Sequence, residues 1–385
     1  MKKIFFTTFS IMFALLLTIS CAKPEYTAFA DNVDTQDKAS VVMDFHTGEI
    51  VYEKNADEKL QVASIVKLMT SLITIEHIES GKLGLDDKLV ASENASSMGG
   101  SQAFIDPYSE YSISDMLKSV IVASANDSAV ALAEHIAGSE EEFVKMMNKR
   151  ASELGLTNTI YANSTGLPMP EEYSCAKDVA ILLREIIKHE TYHKFSTIWI
   201  DELVHPSGRK TELVNTNKLT RYYEGCDSGK TGFTDEAGYC LSASAKKGDM
   251  RFIAVSLGAK DAKTRFSNVT KLLNFGFANF ENKLIVNNET VLAQLNVDKS
   301  KTKQLSVYAS EKFYGLSRKG YESNYETIIN LPNSIQAPVK SGDKVGTITV
   351  SKNGNVVKEI DLVVNDSAEK LTYKDAIFEV VENWY

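Results

Sequence analysis

Hydrophobic positions change their spacing several times along the chain, and each change marks an element. From Ile4 to Ile19 they are nearly continuous behind Lys2-Lys3. Ala28-Phe29-Ala30 follows as a small-x-small triplet. This is the pattern of a cleaved export signal over residues 1–30, leaving Asp31 first. Ser40 to Asp44 and Ile50 to Tyr52 read as strands around His46-Thr47-Gly48-Glu49, a hairpin. The run from Ala63 stays apolar through Leu68, Leu72, Ile73, Ile75 and Ile78, predicting a helix buried on most sides that ends near Ser80-Gly81. Further helices are predicted over 116–122, over 129–136 with Gly138 as the stop, over 140–154 and over 176–188. In the third of these, Phe143, Met146, Met147 and Ala151 share a face.

A different pattern starts near Gly229. Segments 229–233, 238–245 and 251–257 are β-rich and joined by short turns, so they predict three antiparallel strands. Val269 to Phe280 returns to helix. The first hairpin can join the sheet at an edge, giving an α/β (α+β) domain with a helix-flanked antiparallel sheet. Near Leu284 short strand-like runs take over: 291–297, 304–308, 325–331, 344–350 and 356–364. They predict a small all-β domain. Ser367 to Tyr385 reads as a helix with Tyr373, Ile377, Val380, Val381 and Trp384 on one stripe. That stripe suits either an amphipathic foot on a membrane surface or a terminal helix packed on the β domain. The predicted division is therefore 1–30, 31–284, 285–366 and 367–385.

Composition narrows the classes. A chain of 385 residues with 43% hydrophobic content is sized for two globular domains. Its net charge of −9 and lack of a basic cluster argue against nucleic-acid binding and disfavour a purely electrostatic hold on anionic lipid. Cys21 follows Thr18-Ile19-Ser20, which fits a lipoprotein box poorly. Cleavage after Ala30 leaves Cys175, Cys226 and Cys240, an odd and widely spaced set that is no disulfide framework. Buried free thiols are expected, with a Cys226–Cys240 bridge as the alternative. The protein is expected to work outside the cytoplasm.

The candidate chemistry starts at Ser64 and Lys67, three apart and so on one helix face. A lysine amine in a dry pocket can lose its charge and take the proton of a serine nucleophile. Ser-x-x-Lys alone is weak, since it recurs at Ser207/Lys210, Ser244/Lys247, Ser300/Lys303, Ser341/Lys344 and Ser367/Lys370. Ser124-Ala125-Asn126 and then Lys230-Thr231-Gly232 follow the Ser64 copy alone in order and context. The three together are the signature of penicillin-binding proteins and class A β-lactamases. Ser64 would attack a carbonyl and Lys67 take its proton. Ser124 would relay that proton to the leaving amine, and Asn126 would hold the substrate amide and orient Lys67. Lys230 and Thr231 would receive a substrate carboxylate, with Gly232 letting the strand backbone come close to the substrate. The N–H groups of Ser64 and Phe233 would form an oxyanion hole.

On these motifs, and on Met98-Gly99-Gly100-Ser101, Gly138 to Phe143, Leu154-Gly155-Leu156, Thr165-Gly166-Leu167 and Gly229 to Thr234, the chain resembles the low-molecular-mass penicillin-binding proteins, D-alanyl-D-alanine carboxypeptidases of the S11 serine peptidase family. It looks closest to the Bacillus and Clostridium branch. The resemblance covers the catalytic region fully and the β domain and terminal helix more loosely. It implies a penicillin-recognising catalytic domain of the serine transpeptidase/β-lactamase-like type. It also implies removal of the terminal D-alanine from peptidoglycan stem pentapeptides, β-lactams as covalent inhibitors, no metal or other cofactor, and a peripheral place on the outer face of the cell membrane. It further implies an arginine after the third strand that binds the terminal carboxylate. Arg265 fits that place, with a surface residue at a helix start as the bland alternative. At Cys226 and Ser228 the chain departs from the family pattern of Val or Ala followed by Gly, which leaves fine cleft shape open.

Three rivals stand beside this reading. His189-Glu190-Thr191-Tyr192-His193 matches the His-Glu-x-x-His zinc-peptidase pattern; a catalytic site would still need a third protein ligand, and Glu202 is nearby but no extended histidine pattern follows. A β-lactamase would need a deacylating glutamate midway between the second and third motifs, and the Glu-x-x-Asn at Glu212 and Asn215 lies too close to Lys230. A β-lactam sensor or wall-binding module with a dormant site is the non-enzyme reading.

Overall fold

The computed structural model describes residues 33–374, residue 322 excepted. The expected export signal, Cys21 and the apolar stripe beyond Tyr373 lie outside the described residues.

The N-terminal hairpin is β1 (Ala39–Asp44) and β2 (Ile50–Lys54). A helical region follows: α1 (Lys67–Glu79), α2 (Ile113–Ala123), α3 (Asn126–Ala137), α4 (Glu140–Glu153) and α5 (Ala176–Ile186). Then come β3 (Cys226–Thr234), β4 (Gly238–Lys247), β5 (Met250–Ala259) and α6 (Ala262–Asn279). The sheet order is β2-β1-β5-β4-β3, antiparallel throughout, so the first hairpin joins at an edge as expected and β3 is left at the other edge.

Strand alternation splits the apolar side chains between two cores. Val41, Met43, Ile253, Val255 and Leu257 face the helical region. Val42, Leu241, Ala243, Phe252 and Ala254 face α6. Register puts Lys230 opposite Ser242, and Ser242 opposite Val255, so Lys230 points to the helical side. Helix α1 is buried at every residue from Lys67 to Ile75, as a helix apolar on most sides must be.

Chain breaks fall where local chemistry dictates. Ser112 caps α2 by accepting the Asp115 N–H at 3.0 Å. That helix ends at Ser124, whose backbone is left-handed (φ 62°, ψ 29°), and α3 restarts two residues later. Two small two-stranded sheets were not expected: 88–90 with 110–112, and 200–204 with 210–214.

After α6 the strand Phe280–Val286 runs straight across the expected division at 284 and pairs with Phe313–Arg318. Beyond it, six strands form a sheet in the order 325–330, 344–352, 355–364, 304–309, 293–298, 334–336. The C-terminal helix expected from Ser367 does not begin there. Residues 367–372 are non-helical: Ala368, buried in the β-domain core, pairs with Val339, and Lys370 pairs with Ser300. The backbone there spends its hydrogen bonds on the sheet, which a helix cannot share. Among the described residues no helix is long and apolar enough to cross a membrane.

Candidate active site

Ser64 does not lie in α1 itself. It sits in a tight 3-10 turn, Ala63–Val66, that runs into the helix at Lys67. Residues three apart eclipse in such a turn, which brings the pair together more closely than an α-helix does. Lys67 Nζ lies 3.0 Å from Ser64 Oγ and also donates to the Thr165 carbonyl at 2.5 Å. Lys67 is fully buried. Burial pulls its pKa down to about 7, against the upward pull of the Glu172 and Asp127 carboxylates.

The second motif comes from the α2–α3 break. The left-handed backbone at Ser124 turns its hydroxyl toward the sheet, where Lys230 Nζ donates to Ser124 Oγ at 2.7 Å. Asn126 donates its backbone N–H to Ser101 O at 2.7 Å and its side-chain amide to Gly99 O at 2.6 Å. Its carbonyl oxygen is buried without a partner, an acceptor left for a ligand N–H. Asp127 beside it accepts from the N–H groups of Ala103 and Ile105, pinning the small-residue loop over 97–105.

The third motif lies on edge strand β3. Lys230 is buried, with its second bond to Thr231 O at 3.0 Å. Burial, then the positive charges of Lys67 and Arg265, hold its proton affinity well below that of an ordinary lysine. Gly232 packs on the nucleophile turn: a Cβ there would lie 2.5 Å from Val62 O and 3.2 Å from Ser64 N. Glycine is therefore needed there for packing on the Ser64 turn, beside the close approach to substrate expected from the sequence. This packing sets the Ser64 N–H beside the start of the Phe233 peptide. Phe233 is half exposed at the cleft mouth, its ring 4.2 Å from that of Tyr239. Arg265, from the first turns of α6, donates to Gly232 O at 3.0 Å and lies over the Tyr239 ring. It is braced against β3, and its Nε is buried without a partner.

Ser64 with Lys67, Ser124 with Lys230, and Gly232 on the Ser64 turn thus meet between the helical region and β3, with Asn126 just after Ser124 in the chain, Phe233 next to Gly232, and Arg265 against Gly232; Thr231 sits between Lys230 and Gly232 on the strand. Sequence reasoning reads 163–168 as a turn-rich loop but assigns no role to the loop over 161–174. Its Thr165 carbonyl holds Lys67. A Cβ on Gly166 would fall 2.1 Å from Ala63 O, and Glu172 is buried within it. Only the Thr165-Gly166-Leu167 stretch hinted at it.

The His-Glu-x-x-His segment is not a metal site. His189 precedes the seven-residue helix Glu190–Ser196, and its Nδ1 meets Glu79 Oε2 at 2.6 Å. His193 Nε2 turns to Ile187 O at 2.9 Å. Among the described residues no group of three His, Cys, Asp or Glu side chains stands ready to hold an ion. Cys226 and Cys240 lie in opposite cores of the sheet, so they are free thiols and form no bridge. Ser228 is buried beneath the cleft with its hydroxyl unpartnered.

Residues 26–261 match the family model described as D-alanyl-D-alanine carboxypeptidase. Residues 280–370 match that of the penicillin-binding protein 5 C-terminal domain. The D-alanyl-D-alanine carboxypeptidase DacF of Bacillus subtilis is 41% identical over 90% of both chains. Penicillin-binding protein 5 of Haemophilus influenzae is 30% identical, with a TM-score of 0.70 over 88% of this chain and 99% of that one. Penicillin-binding protein D2 of Listeria monocytogenes, in its ampicillin-bound form, is 31% identical, with a TM-score of 0.54 over 64% of this chain and 99% of that one. With its three motifs joined at one cleft and both family models matched in order, the chain belongs to the S11 D-alanyl-D-alanine carboxypeptidase family.

Proposed function

We propose that this protein is a serine-type D-alanyl-D-alanine carboxypeptidase acting on peptidoglycan stem pentapeptides through an acyl-enzyme on Ser64. The observation that carries the reading is the pairing of Ser64 Oγ with a fully buried Lys67 at 3.0 Å. A lysine with a pKa of about 7 is half neutral at neutral pH, so its amine can accept the Ser64 proton as Oγ attacks the penultimate carbonyl. The oxyanion that forms is held by the N–H groups of Ser64 and Phe233. The proton passes through Ser124 Oγ to the nitrogen of the departing D-alanine. Water then attacks the ester, releasing the shortened peptide and returning Ser64.

Lys230, Thr231 and Arg265 receive the terminal carboxylate of the substrate. Arg265 brings positive charge, and Lys230, whose proton is held weakly by burial and by the charges of Lys67 and Arg265, holds it more firmly once the carboxylate arrives. Asn126 offers its free carbonyl to a substrate amide N–H. Among the described residues edge strand β3 has no strand neighbour on its outer side, along which an extended peptide can lie. A β-lactam acylates the same hydroxyl, and its opened ring stays tethered where the leaving amine should depart. Residues 1–30 direct the chain out of the cytoplasm, and the stripe from Tyr373 to Trp384 rests it on the membrane surface. Residues 31 to about 280 form the catalytic domain, with strands 280–286 and 313–318 packed on it, and the six-stranded sheet forms the β domain.

The test is D-alanine release from a pentapeptide ending in D-Ala-D-Ala, with the parent and Ser64→Ala compared in a chelator. Release by the parent alone is expected. Equal release by both would overturn the Ser64 mechanism, and release only without chelator would return weight to metal chemistry.

A further inference from the structure

The cleft is backed by a buried carboxyl that the reaction above does not use. Glu172 is 4% exposed, and one of its oxygens accepts the Ala162 N–H at 3.3 Å, with the Asn163 N–H as a further donor. Asn163 in turn accepts from Thr165 N, Thr165 Oγ1 and Gly166 N at 2.9, 2.8 and 2.6 Å. Thr165 O then holds Lys67 Nζ, and Gly166 presses on the Ser64 turn. One connected set of bonds therefore runs from Glu172 to the base and the nucleophile.

We propose that Glu172 is a positioning residue for Lys67: its carboxyl locks the loop that presents the Thr165 carbonyl, and its negative charge holds the lysine proton in the resting enzyme. This rests on Lys67 being the base. Burial pushes the Glu172 carboxyl up to about 7, while the two N–H groups and Lys67 pull it down and Glu140 pushes it further up. Lys67 and Glu172 thus compete for a proton near neutrality. Other charged or titratable groups bear on the pair from every neighbouring element. Asp127 on α3 favours the Lys67 ammonium, and Lys230 on β3 opposes it. Glu140, at the start of α4, is bonded to Ser164 N and Oγ in the same loop. Tyr161 is buried against Glu172 and Asp178 of α5. Of these, Glu172 exerts the strongest charge effect on Lys67.

Glu172→Gln keeps an acceptor for the Ala162 N–H and removes the charge. Without the anion Lys67 gives up its proton more readily, so the acidic limb of the acylation rate should move to lower pH. The gain should appear around pH 7, up to about twofold, and fade toward pH 5, where the Glu172 carboxyl is itself protonated. The measurement is the second-order rate of labelling by a fluorescent penicillin between pH 5 and 9, with the label located on Ser64 by mass spectrometry. A limb superimposable on the parent's overturns the charge role. Should Glu172→Gln not fold, Glu172→Asp and Glu172→Asn carry the same contrast: the limb stays with Asp and moves with Asn, and an unmoved limb in both overturns the proposal. The parent distinguishes the two readings. A parent that is never labelled on Ser64 sinks the proposed function, whereas a labelled parent with an unmoved variant limb sinks this inference alone.

Discussion

Burial without an adjacent carboxylate bond is what makes Lys67 useful. Its Nζ contacts are a hydroxyl and a carbonyl, which orient the amine without fixing a charge on it. The pH dependence follows. The base must be neutral, so acylation should fall about tenfold per pH unit below about 7 and level off above it. Stopped-flow acylation across that range checks it, and a flat profile from pH 5 to 8 would show that Lys67 is not the base. The nucleophile turn depends on Gly166 and Gly232 for its place, and Gly138, remote from it, is the control. Gly166 has φ +78° and faces Ala63 O, while Gly138 has φ +84° and faces open space. Gly166→Ala should therefore cost about 2 kcal/mol or more in unfolding free energy and slow acylation, where Gly138→Ala costs about 1 kcal/mol and leaves acylation alone. Equal costs would show that backbone strain alone matters there. Ser64, Lys67, Lys230 and Thr231 were legible because the chemistry requires those residue types at short spacing. Thr165, Gly166 and Glu172 were not, because they act through a carbonyl, a missing side chain and a charge delivered across 98 or more positions, as in the Lys67–Thr165 bond.

At the scale of elements, the break between α2 and α3 is the least expected and the most consequential feature. Apolar periodicity predicted a short helix running toward Ser124 and another resuming at Ala129, and both are present. Periodicity cannot show that the connection is a single left-handed residue, because the serine there is chosen for its hydroxyl against its backbone preference. Ser124→Gly relieves that backbone and removes the group bonded to Lys230. Its unfolding free energy should equal the parent's or exceed it by up to about 1 kcal/mol, while D-alanine release drops by two orders of magnitude or more, to about the level left when a general acid is lost. Denaturant melts and initial rates on one preparation measure both. Retained activity would remove Ser124 from the proton path. The strands β3, β4 and β5 were legible for the opposite reason. Each alternates small and apolar residues between two cores, and a period of two survives any placement in the sheet.

The change of composition near Leu284 correctly announced a β-rich region, but the polypeptide begins it earlier, at Phe280. That ring belongs to the core under α6, together with Leu316 from the paired strand. The paired strands 280–286 and 313–318 of the C-terminal region therefore complete the packing of the catalytic half, which a change in residue usage cannot reveal. The turn of the first hairpin makes a second contact between the halves. Its His46 ring lies 5.0 Å from Tyr314, and Glu49 pairs with Lys352 at 2.6 Å. Both side chains of the ion pair are largely covered, at 25% and 19% exposure, and the residues are 303 positions apart. A partly covered pair of this kind contributes modestly, because the attraction is offset by lost hydration. A cycle of Glu49→Gln, Lys352→Met and the double variant should give a coupling of about 0.5–1 kcal/mol in urea unfolding, reduced in 0.5 M NaCl. The single variants should leave D-alanine release unchanged, since the pair lies on the hairpin turn, away from the Ser64 cleft. A coupling near zero would assign the hold between the halves to the Phe280 and Leu316 packing and the His46–Tyr314 contact. A loss of activity in either single variant would instead mean that the β domain helps shape the cleft through the first hairpin.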